Sequence, residues 1–217
     1  MAFLDTDEKA AITQQIRSAE AGTSGEIVTI ITQRSDDYTY IPLLWATLAA
    51  LSLPGIYFLF SNLSAGGWQA DGLREIDPQS IYLYQVALFF ILAIVVQWEP
   101  VKMRLIPRQV RKHRAAANAR SQFLSQHLHW TEHRTGILIF VSLSEHYVEI
   151  IVDQALAEKV PDNYWQKTVD RFINDVRSGA TARGFSHAID DCQKVLWEHF
   201  PAVRPNGQTL PDHLIEV

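Results

Sequence analysis

The sequence predicts an α/β layered domain around a small mixed sheet, interrupted by a two-helix transmembrane hairpin. Three observations predict it. The two flanks of the chain read in order as helix, strand, helix, strand, strand, helix, helix. Two uncharged runs, "YIPLLWATLAALSLPGIYFLF" (Tyr40–Phe60) and "IYLYQVALFFILAIVVQW" (Ile81–Trp98), fall between the first strand and the second helix. The mean hydropathy of −0.03 is therefore the average of two unlike parts.

In chain order, "LDTDEKAAITQQIRSAEAGTSG" reads as a helix. Asp5 or Thr6 can cap it, Asp7 and Glu8 suit the positive end of its dipole, and Gly22 suits its stop. "GEIVTIITQ" (Gly25–Gln33) is a strand by β-branched content and length. Past the uncharged runs, "RQVRKHRAAANARSQFLSQHL" is a basic helix ending near Leu128. "GILIFVSL" (Gly136–Leu143) and "YVEIIV" (Tyr147–Val152) are strands. The short polar turn Ser144–His146 between them favours an antiparallel pair. Two amphipathic helices follow. Trp165, Val169, Phe172 and Val176 line the first, and Phe185, Ile189, Val195, Leu196 and Phe200 the second. The tail "RPNGQTLPDHLIEV" reads as extended along the surface.

A helix that spans a hydrocarbon core about 30 Å thick needs roughly 20 apolar residues. The first run meets that length, inside an uncharged stretch from Tyr38 to Ala70, and the second, at 18 residues, lies near the lower limit. Tyr38, Tyr40, Trp68, Tyr82, Tyr84 and Trp98 stand where interfacial anchors belong. Pro54-Gly55 is tolerated in a membrane helix when neighbours satisfy the freed backbone groups. Two helices apolar all round are hard to cover in a soluble core this small. The connector Ser61–Ser80 holds one basic residue, Arg74, whereas Lys102, Arg104, Arg108, Arg111, Lys112, Arg114 and Arg120 follow the second run. The positive-inside rule puts that basic side, and with it both termini, in the cytoplasm. The same basic run is also suited to anionic lipid headgroups. The boundaries read as 1–37 and 99–200 for one interrupted domain, 38–98 for the hairpin and 201–217 for the tail.

Composition narrows the function classes. A net charge of −5 in 217 residues opposes a general nucleic-acid binder. Cys192 is the only cysteine, which excludes an intrachain disulfide and demands no oxidising compartment. "MAFLDTDEKAAITQQ" lacks a basic and then apolar leader, so no cleaved signal peptide is expected.

"SGEIVTIITQ", a helix, "RTGILIFVSLSEHYVEIIVD", "VPDNYW", a helix and "GFSHAID" together resemble the TPM domain, over roughly residues 5–35 and 105–200. That family is named for thylakoid-lumen, photosystem-repair and nicotinic-receptor-regulator proteins. Its motifs are a Gly-Glu entering strand one, a Thr-Gly entering strand two, an Asp before the following helix and a late Gly-Phe. The resemblance implies an α/β/α sandwich and acidic loop sites that hold divalent cations, Ca²⁺ or Mg²⁺, in some members. It also implies weak acid-phosphatase activity and roles in assembling or maintaining membrane complexes. By position, Glu26 matches the acid of strand one and Asp162 the helix-entry Asp. Asp153 lies where the family has a Gly-rich turn. Here that turn is replaced by "IVDQALAEKV", a departure that weighs against the metal site and the phosphatase.

Glu26, Asp153 and Asp162 are thus the candidate metal ligands, since Ca²⁺ takes several carboxylate oxygens. Asp162 has a second reading as the N-cap of the helix starting near Asn163. "HLHWTEH" (His127, His129, His133) has a zinc-like spacing, but its first two histidines fall on different faces of any helix. Solvated histidines on a basic surface are the plainer reading. "GTSGE" lacks the Lys-Ser/Thr of a phosphate loop, and no Ser or Cys nucleophile motif is present. Cys192 reads as a small buried hydrophobe. Two functions follow. One is a membrane-tethered binding or assembly module, acting on a membrane-protein partner through a cytoplasmic domain of a multi-pass inner or plasma-membrane protein. The other is a membrane-bound, divalent-metal-dependent phosphatase of weak activity.

Overall fold

A strand covered on both faces is mostly apolar, and the first two strands are, with Glu26, Thr29, Thr32 and Ser142 as the buried polar positions. In the computed structural model, which describes residues 4–64, 77–131, 133–201 and 214–216, β1 (Glu26–Thr32) and β2 (Gly136–Ser142) are buried at all seven positions each. They pair in parallel, Glu26 with Gly136 through Thr32 with Ser142. β3 (Tyr147–Val152) returns antiparallel to β2, as the short turn requires, giving a mixed sheet in the order β3-β2-β1-β4. The fourth strand, β4 (Ile215–Glu216), corrects the reading of the tail. Residues 202–213 lie outside the described residues, but Leu214 is buried and Ile215 and Glu216 pair in parallel with Ile30 and Ile31. The unpaired edge of β1 offers backbone groups that an extended tail can satisfy.

The sheet belongs to one of two compact units, Met1–Asp36 with Arg111–Val217. Ile27, Ile31, Ile137, Ile139, Val141 and Val148 point to one face. Against them pack α1 (Thr6–Glu20), α7 (Asp162–Arg177) and α8 (Thr181–His199), through Ile12, Ile16, Trp165, Phe172, Phe185 and Leu196. Val28, Ile30, Leu138 and Phe140 point to the other face. Ala119 and Phe123 of α5 (Arg108–Ser125) cover it, with Leu128 of the 3₁₀ turn Leu128–Trp130. The layers are α/β/α, as expected.

Local chemistry sets the helix ends. Asp5, not Thr6, caps α1: its carboxylate accepts from the Thr6 N–H, and Glu8 reaches back to the Asp5 N–H at 2.9 Å. α5 stops at Ser125, three residues before the expected end, because His127 adopts a left-handed backbone at φ 57°. The segment that replaces the family's turn forms a short helix, α6 (Gln154–Lys159), capped by Asp153, which accepts from the Gln154 N–H at 2.7 Å. The buried stripe of α7 runs through Trp165, Thr168, Phe172 and Asp175, while Val169 and Val176 are only partly buried. The polar pair is turned inward because both residues bond to α8. Cys192 is fully buried, as expected, and burial pushes its thiol up.

The second unit, Asp37–Val110, holds the apolar helices. α2 (Tyr40–Ser64) continues through Pro54. α3 (Pro78–Val95) ends before the expected Trp98: Trp98 instead caps α4 (Glu99–Leu105), whose first turn accommodates Pro100. Tyr38, Ile41 and Ile106 form a small buried cluster with Met103 and Val110 packed on it. Lys102 is buried, unlike most of the basic run. Trp68 and Arg74 lie outside the described residues.

Candidate functional site

The motif residues prove to be packing devices. A Cβ at Gly136 would stand 2.6 Å from the Leu128 carbonyl oxygen, and one at Gly184 would stand 2.2 Å from the Phe172 ring. Thr135, before Gly136, donates from Oγ1 to the Ser24 carbonyl at 3.0 Å, tying β2's entry to that of β1. Gly22 does not adopt a left-handed backbone as a helix stop; instead Trp197 Nε1 lies 3.0 Å from where its Cβ would be.

Two of the three predicted acids, Glu26 and Asp153, lie at the same end of the sheet. Glu26 opens β1 and is buried, and its register partner is Gly136. The Asp153 N–H donates to the Gly136 carbonyl at 2.9 Å, so Glu26 and Asp153 flank Gly136 about two strand spacings, roughly 10 Å, apart. One Asp153 carboxylate oxygen is buried without a hydrogen-bond partner among the described residues. Asp162 is exposed in the first turn of α7; the N-cap is Pro161, which corrects the capping reading of Asp162. Among the described residues no three His, Cys, Asp or Glu side chains gather closely enough to hold a metal ion. Glu26, Asp153 and Asp162 do not form such a group as placed. His127 and His129 pack against Trp130, with ring centroids 5.1 and 5.3 Å away, and Trp130 is exposed.

The opposite end, at the carboxyl ends of β1 and β2, carries a different arrangement. In doubly wound sheets, ligands bind outside the carboxyl ends of parallel strands. Here Glu145 is buried, accepts from the Ser35 N–H at 3.1 Å and from the Ser142 hydroxyl, and Ser35 Oγ lies 3.0 Å from Ser142 Oγ. The neighbouring turn residue His146 is held at φ 51° and exposed. Beside it opens a cleft of about 410 Å³. Val141 and Val148 from the sheet and Ile173 and Val176 from α7 make its apolar walls. His146, Arg177 and Thr181 stand at its polar side. Tyr147 also lines it; burial, then the charge and hydrogen bond of Glu149, push its phenol up, and its hydroxyl donates to Glu149 at 3.0 Å. Burial likewise raises Glu149, against the Tyr147 hydrogen bond and the Arg120 charge.

Sequence reasoning missed this end. Ser144–His146 registered only as a turn, and Arg177 only as the end of an amphipathic helix. What singles them out is the parallel pairing of β1 and β2, which no local pattern encodes.

A polar seam joins α7 to α8. Asp175 accepts from Arg183 Nε at 3.0 Å and lies 3.0 Å from His187 Nδ1. Burial pushes its carboxyl up, but the hydrogen bonds and charges of His187 and Arg183 outweigh this and hold it below the ordinary range. Asp191 pairs with Arg171 and Lys194 and accepts from Thr168. The Tyr164 hydroxyl donates to the Asp191 carbonyl at 3.0 Å, and burial pushes that phenol up to about 12.

Comparison with known proteins agrees with this architecture. The family model described as the TPM domain matches residues 108–195, from α5 through most of α8. No curated protein matches the sequence. The NMR structure of the BA42 protein from the psychrophilic bacterium Bizionia argentinensis superposes with a TM-score of 0.59. The alignment covers 100% of this chain and 97% of that one, at 18% identity, a likeness of fold. The family match identifies a TPM domain at residues 108–195, and the likeness to BA42 adds the fold alone.

Proposed function

We propose that this is an integral membrane protein whose TPM domain is a binding module for assembling or maintaining a membrane-protein complex at the cytoplasmic face. The observation that carries the reading is α2. Tyr40–Phe60 is 21 residues long and uncharged, and only 11% of its apolar window is buried. A core helix of a soluble protein would be covered; this one presents Leu44, Trp45, Leu48, Leu51, Phe58 and Phe60. α3 counts as a second span only together with α4, from which it is bent by 103°. Arginine and lysine concentrated after α3 support cytoplasmic termini. The test is retention in membranes after alkaline carbonate washing, followed by crosslinking and co-purification. The proposal expects the protein in the pellet with a stoichiometric membrane-protein partner. Release into the supernatant overturns the tether, and recovery without a partner overturns the assembly role.

The alternative is a membrane-bound phosphatase of weak activity using Ca²⁺ or Mg²⁺. Its specific support is the unpartnered Asp153 oxygen, which a cation or a proton can satisfy. It predicts metal-dependent phosphate-ester hydrolysis that disappears in Asp153→Asn.

A further inference from the structure

The cleft at the carboxyl ends of β1 and β2 has a one-sided chemistry. Its walls are aliphatic, from Val141, Leu143, Val148, Ile173 and Val176, and no Asp or Glu lines it. The buried acids next in sequence to its lining residues are engaged elsewhere, Glu145 by Ser35 and Ser142 and Asp175 by Arg183 and His187. Arg177 lines the cleft and, among the described residues, forms no ion pair, in contrast to Arg171 and Arg183 on the same two helices. His146 and Thr181 bring further hydrogen-bonding groups, and neither side chain has a partner among the described residues. The last-turn position of Arg177 complements the α7 dipole, but that role requires no cavity beside it. The volume falls in the range of small-molecule sites, which pair mostly apolar walls with a few polar groups that fix orientation.

We infer that this cleft binds a small organic acid, its apolar body between the valines and isoleucines and its carboxylate on the Arg177 guanidinium. A planar guanidinium matches a carboxylate in two parallel hydrogen bonds, which an ammonium or an alcohol cannot reproduce. Its lining residues belong neither to Asp37–Val110 nor to the acids around Gly136, so the inference stands or falls independently of the proposed function.

The test uses the full chain in lipid nanodiscs, with 3-phenylpropionate as probe and 3-phenylpropan-1-ol as its uncharged counterpart, followed by ligand-observed saturation-transfer NMR against empty nanodiscs. Saturable binding of the acid is expected, with the alcohol at least about tenfold weaker, the factor that losing a charged hydrogen bond brings. Arg177→Gln, at an exposed residue, is expected to weaken the acid about tenfold and leave the alcohol unchanged. Ile173→Trp, which fills the cleft, is expected to abolish both, with circular dichroism reporting that the variant is folded. Absence of saturable binding to the wild-type chain overturns the inference. So does equal affinity for acid and alcohol, or an acid affinity unchanged by Arg177→Gln.

Discussion

At Gly136 a methyl group has nowhere to go. The atom in its way is a backbone oxygen of Leu128, which cannot rotate aside as a side chain can. Gly136→Ala must push the 3₁₀ turn off the sheet, and overpacking of this kind costs about 1–3 kcal/mol. Chemical denaturation of the variant is expected to show a lower midpoint with unchanged slope. The atoms nearest a Cβ at Gly25 belong to the Leu196 side chain, so Gly25→Ala is expected to cost less. Asp175 makes a pH prediction. Its folded carboxyl titrates below the ordinary value, so its stabilisation is present above that value and is lost as the pH falls through the folded one. Asp175→Asn is expected to melt below wild type near neutral pH, with the gap closing below about pH 4. A gap that stays constant across that window would mean the carboxylate charge contributes nothing to the seam.

The elements show where local signals suffice and where they do not. α1 and the three long strands form within one or two residues of their expected ends, because caps, β-branched runs and a three-residue turn are local causes. α4, α6 and β4 were not anticipated. α6 exists because Asp153 caps a segment that otherwise reads as a loop. β4 exists only because β1 leaves an edge to fill. Leu214 leads into it and is buried, so Leu214→Ala is expected to cost about 2 kcal/mol, read as a lower melting temperature. An unchanged melting temperature would show that the β4 contact does not hold in solution. The two amphipathic helices illustrate the opposite error. Their apolar stripes are legible in part, but the burial of Thr168 and Asp175 is not, because their partners lie on another helix.

At the scale of the whole molecule, one domain is written in two pieces of sequence. Asp36 Oδ2 lies 3.2 Å from Arg114 Nε, so the chain leaves the α/β unit and re-enters it at neighbouring points. Replacing Asp37–Val110 by a short flexible linker is therefore expected to leave a soluble domain that unfolds cooperatively. Closing the shorter loop costs no more entropy than closing the original. A molten or aggregating product would show that the apolar unit supplies part of the core.

The sequence by itself determined the layered α/β class, the interruption after the first strand, the apolar character of α2 and the motif that marks the TPM domain. Each is carried by neighbours in the chain: side-chain periodicity, caps, turn length and runs without charge. Only the tertiary structure decided which residues meet. It separated Glu26, Asp153 and Asp162, which spacing alone left free to converge, and it showed that the motif glycines serve close packing against Leu128, Leu196 and Phe172. It also brought His146 to one cleft with Arg177 and Thr181, about thirty residues further along the chain. The reason is physical: periodicity fixes the face a side chain presents, but its partner there is set by strand order and helix packing, which depend on the whole chain at once.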